Sequence, residues 1–186
     1  MLLIIEIFLY EKYNSYLMNV KLILGASLAA VFAVFMIVPV TATGPSSWQH
    51  VVSSSVNSEN IQTSSLSVDA ADSIPRHTDV LGGFAWIYAN GPNTAIVATT
   101  HTGVRDSEQN PDGWHAHNVH LGPGGHNSDA CITGLSDANV GLFIQGSTLS
   151  MNVRNSELTG TLSNSAAAFT IVPDVGCGSG LGVVLS

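Results

Sequence analysis

The chain has 186 residues, of which 45% are hydrophobic and only 10% charged, and its formal net charge is −8. No lysine occurs after Lys21, and the only later basic residues are Arg76, Arg105 and Arg154, so an acidic surface argues against nucleic acid and against anionic lipid as partners. The length suits one domain plus a terminal segment, and the two cysteines allow a single internal disulfide.

Residues 1–42 read as an export segment. Met18-Asn19-Val20-Lys21 is a short positive start, Leu22 to Val38 is almost wholly apolar, and Val40-Thr41-Ala42 supplies the small residues that a signal peptidase needs. This pattern implies initiation at Met18 and cleavage after Ala42, with Met1 to Leu17 as an upstream extension. The apolar run also reaches the roughly 17 residues that a bilayer-spanning helix requires. An uncleaved membrane anchor over residues 22–38 is therefore the alternative. Both readings start with a hydrophobic helix and place the remainder of the chain outside the cytoplasm, secreted or tethered.

Residues 43–75 are rich in serine, with Ser53-Ser54-Ser55 and Ser64-Ser65 separated by Asn, Gln and isolated valines. Such a composition buries little apolar surface against its ordering entropy, so a linker is expected here. A strand around Ile61 to Val68 is the alternative within it. The folded domain is expected over residues 76–186.

From Val80 onward, short apolar or β-branched runs alternate with turn residues at about ten-residue spacing. Strands are predicted at Gly83–Tyr88, Ala95–Thr100, His115–Leu121, Ala130–Gly134, Gly141–Gln145, Thr148–Arg154, Ala168–Val172 and Gly182–Leu185. Turn chemistry marks Asn90 to Asn93, Asn110 to Gly113, Gly122 to Gly125 and Gln145 to Ser147. No helical stripe is visible after residue 75. The expected fold is all-β: a single antiparallel β-sandwich or small barrel, Greek-key-like, preceded by the N-terminal hydrophobic helix.

His115, His117, His120 and His126 are four of the chain's seven histidines, and Asp129 lies just beyond them. Imidazole is the commonest protein ligand of transition metals, and a carboxylate can complete such a site. On a strand, His115 and His117 share one face, while Trp114, Ala116, Asn118 and His120 share the other. If the strands on either side of residues 102–113 pair as a hairpin, His101 arrives opposite or diagonal to Trp114 and His115. His101, His115 and His117 then form a three-histidine site with an open fourth position, which His126 or Asp129 could fill from the glycine-rich loop. The competing reading is a set of hydrogen-bonded core histidines, because Val119 and Leu121 share their face.

Cys131 and Cys177 both lie in the exported part, where an oxidising compartment favours a disulfide between them. The polar stretch Arg105 to Gly113 carries three acids but lacks the order of an EF-hand loop, and reads as an exposed connection.

The His115-Ala116-His117 step and the Cys177-Gly178-Ser179-Gly180-Leu181-Gly182-Val183-Val184 ending resemble copper/zinc superoxide dismutases. In that family an HxH pair sits on a strand of a Greek-key sandwich, and a disulfide joins a cysteine after it to one near the C-terminus. His115, His117, Cys131 and Cys177 match that order, and the likeness covers those two patches alone. The family also carries bridging and zinc histidines after the first cysteine and a late copper histidine. No histidine occurs after His126 here, so a dinuclear site cannot be assembled on that plan. The CHRD module, another HxH-bearing domain, is similar to the same degree.

Together these features predict an exported β-sandwich protein that binds copper or zinc through its histidine cluster, a binder rather than a catalyst because no general base can be named. The alternatives are a non-catalytic structural or adhesive cell-surface domain, and a dismutase-like redox enzyme. N-terminal sequencing of the mature protein is expected to begin at or near Thr43. Recovery of an intact Met1 or Met18 start from the membrane fraction would replace secretion by anchoring.

Overall fold

The computed structural model describes residues 46–89, 93–101, 110 and 113–186. The apolar run 22–38 and the expected cleavage point lie outside them. Among the described residues ten strands succeed one another: β1 (Val51–Ser58), β2 (Thr63–Ala70), β3 (Gly82–Tyr88), β4 (Thr94–Thr100), β5 (His115–Pro123), β6 (Ala130–Asp137), β7 (Val140–Gln145), β8 (Thr148–Arg154), β9 (Leu162–Pro173) and β10 (Leu181–Leu185). Single 3-10 turns occupy Ser47–Gln49 and Asn155–Glu157. Among the described residues no helix is long and apolar enough to cross a membrane.

All pairings are antiparallel. One sheet has the order β1-β2-β8-β7, and β10-β6-β5-β4-β3-β9 close into a six-stranded barrel. The expected choice between sandwich and barrel resolves into both, since the sheet packs on one side of the barrel. Strands β3 to β6 run as a meander. The chain then leaves for β7 and β8, and the β9–β10 hairpin returns to close the ring between β3 and β6.

All eight strands predicted after Val80 are present, and β9 starts six residues earlier than its apolar stretch suggested. The serine-rich segment differs from expectation. Much of the stretch read as linker forms β1 and β2, and β2 is laddered to β8 from Thr63↔Arg154 to Asp69↔Thr148. Leu66 and Val68 are wholly buried, and Ala70 nearly so. Alternation explains it: Leu66, Val68 and Ala70 face inward, while Thr63, Ser65, Ser67 and Asp69 are the intervening, half-buried positions. A strand with one buried face needs only every second residue to be apolar, so serine content alone does not mark a linker.

Two apolar cores result. Between sheet and barrel lie Leu66, Val68, Leu149, Met151 and Val153 from the sheet, against Phe84, Trp86, Ile96, Ala98 and Ala116 from the barrel. Trp48, Phe84 and Trp114 cluster there with ring centroids 5.6 to 6.1 Å apart. Inside the barrel lie Ala85, Ala95, Val97, Val119, Phe169 and Val183. A six-stranded ring is narrow enough for side chains to fill it. Alternate residues of β3, β4 and β5 therefore serve two different cores.

Closure of the ring is short. β10 meets β6 only at Gly182↔Cys131 and Val183↔Ala130. The Cys131–Cys177 disulfide sits at this seam and joins residues 46 apart, worth about 4 kcal/mol on the chain-entropy account.

If the serine-rich segment is part of the core, Leu66→Ala should destabilise the protein by about 2–5 kcal/mol in a urea titration. An unchanged midpoint would return the segment to linker status.

Candidate metal centre

The β4–β5 hairpin has the register Thr99↔His115, Val97↔His117 and Ala95↔Val119. Val97, Ala95 and Val119 line the barrel interior, so His115 and His117 enter it on the same face. His101, one residue beyond β4 and of the same parity as Thr99, continues that row. The three imidazoles meet at one end of the barrel. They are 3%, 2% and 1% exposed for His101, His115 and His117. Ring centroids of His101 and His115 are 4.8 Å apart, and those of His115 and His117 also 4.8 Å.

That spacing is chemically informative. Two imidazoles bound through one nitrogen each to a tetrahedral ion at about 2 Å have ring centres about 5 Å apart. The rings cross at 79° and 83°, packing edge to face. As they stand, no group of three His, Cys, Asp or Glu side chains among the described residues is arranged around a common point. Accommodating an ion requires the rings to turn from these edge-on contacts.

The same histidines are held from outside. Nδ1 of His115 lies 2.7 Å from the Gly113 carbonyl oxygen, a hydrogen bond in which the ring nitrogen donates. Nδ1 of His117 lies 3.1 Å from Oδ1 of Asp137, its cross-strand neighbour at the end of β6. The loop before β5 is fixed in turn by Trp114, whose Nε1 donates to the Pro75 carbonyl, and by Asn110, whose Nδ2 donates to the Trp114 carbonyl. The rest of the acidic stretch, residues 105–109 and 111–112, lies outside the described residues.

The other predicted ligands stand elsewhere. His120 has the opposite parity and is exposed, its ring lying over Gly134. A bulge in the β5–β6 ladder begins only after it, between His120 and Leu121. His126 and Asp129 are exposed on the loop between β5 and β6, at the far end of the barrel. The six residue steps from His117 to Pro123 already span about 20 Å of strand, so neither reaches the cluster. Asp129 instead accepts a hydrogen bond from the Leu185 backbone at 2.8 Å, holding the end of β10.

A different carboxylate organises that far end. Asp174 is 2% exposed and accepts from the backbone N–H groups of His126, Asn127 and Gly176 at 3.0, 2.8 and 2.8 Å, and from the Ser128 hydroxyl at 2.7 Å. The Asn127 backbone bond, then the Ser128 hydroxyl and the His126 backbone, hold its carboxyl well below the usual carboxylate range. A Cβ on Gly125 would collide with this carboxylate, which accounts for glycine there. The Asp174-Val175-Gly176 order is the signature of a side chain capping its own turn, and would have flagged this residue in the sequence. Asp137 was missed because its strand was expected to end at Gly134.

Neither a family model, nor a curated protein, nor a solved structure matches this chain.

A carboxylate whose folded-state pKa is depressed adds stability above the unfolded value, and that contribution is lost as pH falls through the folded one. Asp174→Asn is therefore expected to lower the melting temperature at pH 7 by roughly 5 °C or more, because several donors lose an ionised acceptor. The gap between wild type and variant should narrow as pH drops below about 4. Calorimetry across pH checks this, and a gap that is constant down to strong acid would refute the role.

Proposed function

We propose that this protein binds a single copper or zinc ion through His101, His115 and His117, and that it works outside the cytoplasm as a metal-binding module. The observation that carries the reading is the trio itself: three imidazoles buried in a barrel interior, with the His115 ring centre 4.8 Å from that of His101 and 4.8 Å from that of His117. Borderline ions such as Cu²⁺ and Zn²⁺ favour imidazole nitrogen, whereas Ca²⁺ and Mg²⁺ favour oxygen. The outer contacts at Gly113 and Asp137 add support, because a ligating histidine typically holds a carbonyl or carboxylate at its other nitrogen. The extracytoplasmic setting is supported by the N-terminal pattern and by the single disulfide.

A second reading is a structural or adhesive domain in which the histidines only pack. The edge-to-face stacking favours it, since that is a satisfactory arrangement for three rings without an ion. Dismutase-like redox chemistry gains no support, because among the described residues no second set of histidines lies near the first.

Calorimetric titration with Cu²⁺ and Zn²⁺ separates these readings. Alanine at His101, His115 or His117 should weaken binding at least about tenfold, since each loses one of three nitrogen donors. Alanine at His50, His77, His120 or His126 should leave it unchanged. Imidazole must be neutral to coordinate, so affinity should also fall on acidification. A wild type that takes up neither ion would overturn the metal reading. Loss of binding in His120→Ala alone would overturn the assignment of ligands.

A further inference from the structure

The geometry points to Asp137 as the residue that decides which nitrogen His117 offers to an ion. The inference rests on the proposed metal reading and goes further, because it gives a role to a residue outside the ligand set. Asp137 is the last residue of β6 and the direct register partner of His117 on β5. Its Oδ1 is 3.1 Å from His117 Nδ1, with the histidine side chain 2% exposed and the aspartate side chain 39% exposed.

A neutral imidazole carries its proton on one nitrogen and a lone pair on the other. A carboxylate oxygen beside Nδ1 disfavours the lone pair there, because two acceptors would face each other, and favours the proton. The contact is an ion-pair distance and not an aligned hydrogen bond as it stands, but the charge of the carboxylate favours the proton on Nδ1 of His117 and so leaves the lone pair on Nε2. Gly113 imposes the same pattern on His115 through its carbonyl at 2.7 Å. Two of the three rings are thus preset as Nε2 donors by acceptors on the rim, one from the backbone and one from a side chain. Only the second can be removed by mutation.

Asp137 is therefore a positioning residue, not a ligand. It contributes no donor atom to the ion, yet it selects the donor. Being at the rim and partly exposed, it can be changed with little effect on packing, which makes the role separable from folding.

Two measurements on the full domain test it, with Asp137→Ala, Asp137→Asn and Asp137→Glu beside wild type. In metal-free protein, ¹⁵N-resolved NMR of the imidazoles should show His117 protonated at Nδ1. Asp137→Ala should convert it wholly or partly to the Nε2–H form, and Asp137→Glu should restore the original pattern at least in part. Titration with Zn²⁺ or Cu²⁺ should show binding weakened about 10- to 100-fold in Asp137→Ala, less in Asp137→Asn, with recovery in Asp137→Glu. A purely structural role would leave the tautomer unmoved. If wild-type His117 is protonated at Nε2, the inference is overturned. If Asp137→Ala keeps both the tautomer and the affinity while His117→Ala loses binding, the inference fails and the metal reading stands. If wild type takes up neither ion, both fail together.

Discussion

Burial of β4 and β5 on both faces is the constraint on which the rest of the structure depends. Every residue from Ala95 to Thr100 is buried, and so are Trp114 to His117. An antiparallel strand ordinarily needs one apolar face, but here one face meets the four-stranded sheet and the other closes inside the barrel. Polar side chains on the inner face are then removed from water and must be satisfied where they stand. Thr99 does this by donating to the Gly82 carbonyl at 3.0 Å. His115 does it through Nδ1, which donates to the Gly113 carbonyl, and the three rings otherwise pack edge to face. The proximity of His115 and His117 is a result of sheet register, and His101 continues their row one residue past the end of β4.

The barrel divides its labour between its ends. At one, the histidines gather where β4 ends and β5 begins. At the other, Asp174, Ser128 and the disulfide secure the two-pair seam between β6 and β10. Ser128 touches both devices, its hydroxyl donating to Asp174 and lying 3.6 Å from Sγ of Cys177. Stabilising chemistry is thus kept away from the cluster. The rim near His117 is left to a partly exposed carboxylate rather than to a covalent staple.

Much of this was legible in the sequence, and the reasons for the misses are specific. Period-two parity placed His115 and His117 on one face and His120 on the other, and hairpin geometry brought His101 alongside, because both rules depend only on local backbone. The strands from β3 to β10 were announced by β-branched runs between glycine and asparagine turns. β1 and β2 were obscured because their solvent-side serines dilute the alternation of Leu66, Val68 and Ala70. Asp129 and His126 were proposed on the strength of nearness in sequence. A nine-residue strand intervenes, and distance along a strand grows by about 3.3 Å per residue. The acidic residues that matter, Asp137 and Asp174, act across strands and loops that are far apart in the chain. No local pattern ties Asp137 to its partner.

The covalent loop between Cys131 and Cys177 encloses most of β6 together with β7, β8 and β9, which is to say half of the outer sheet and two staves of the barrel. A protease that cuts once anywhere in that span does not release a fragment. It leaves a two-chain molecule whose pieces remain tied at the seam, with β9 still laddered to β3 and β10 and β8 still laddered to β2. Such a closed loop lets the protein be nicked and yet stay whole.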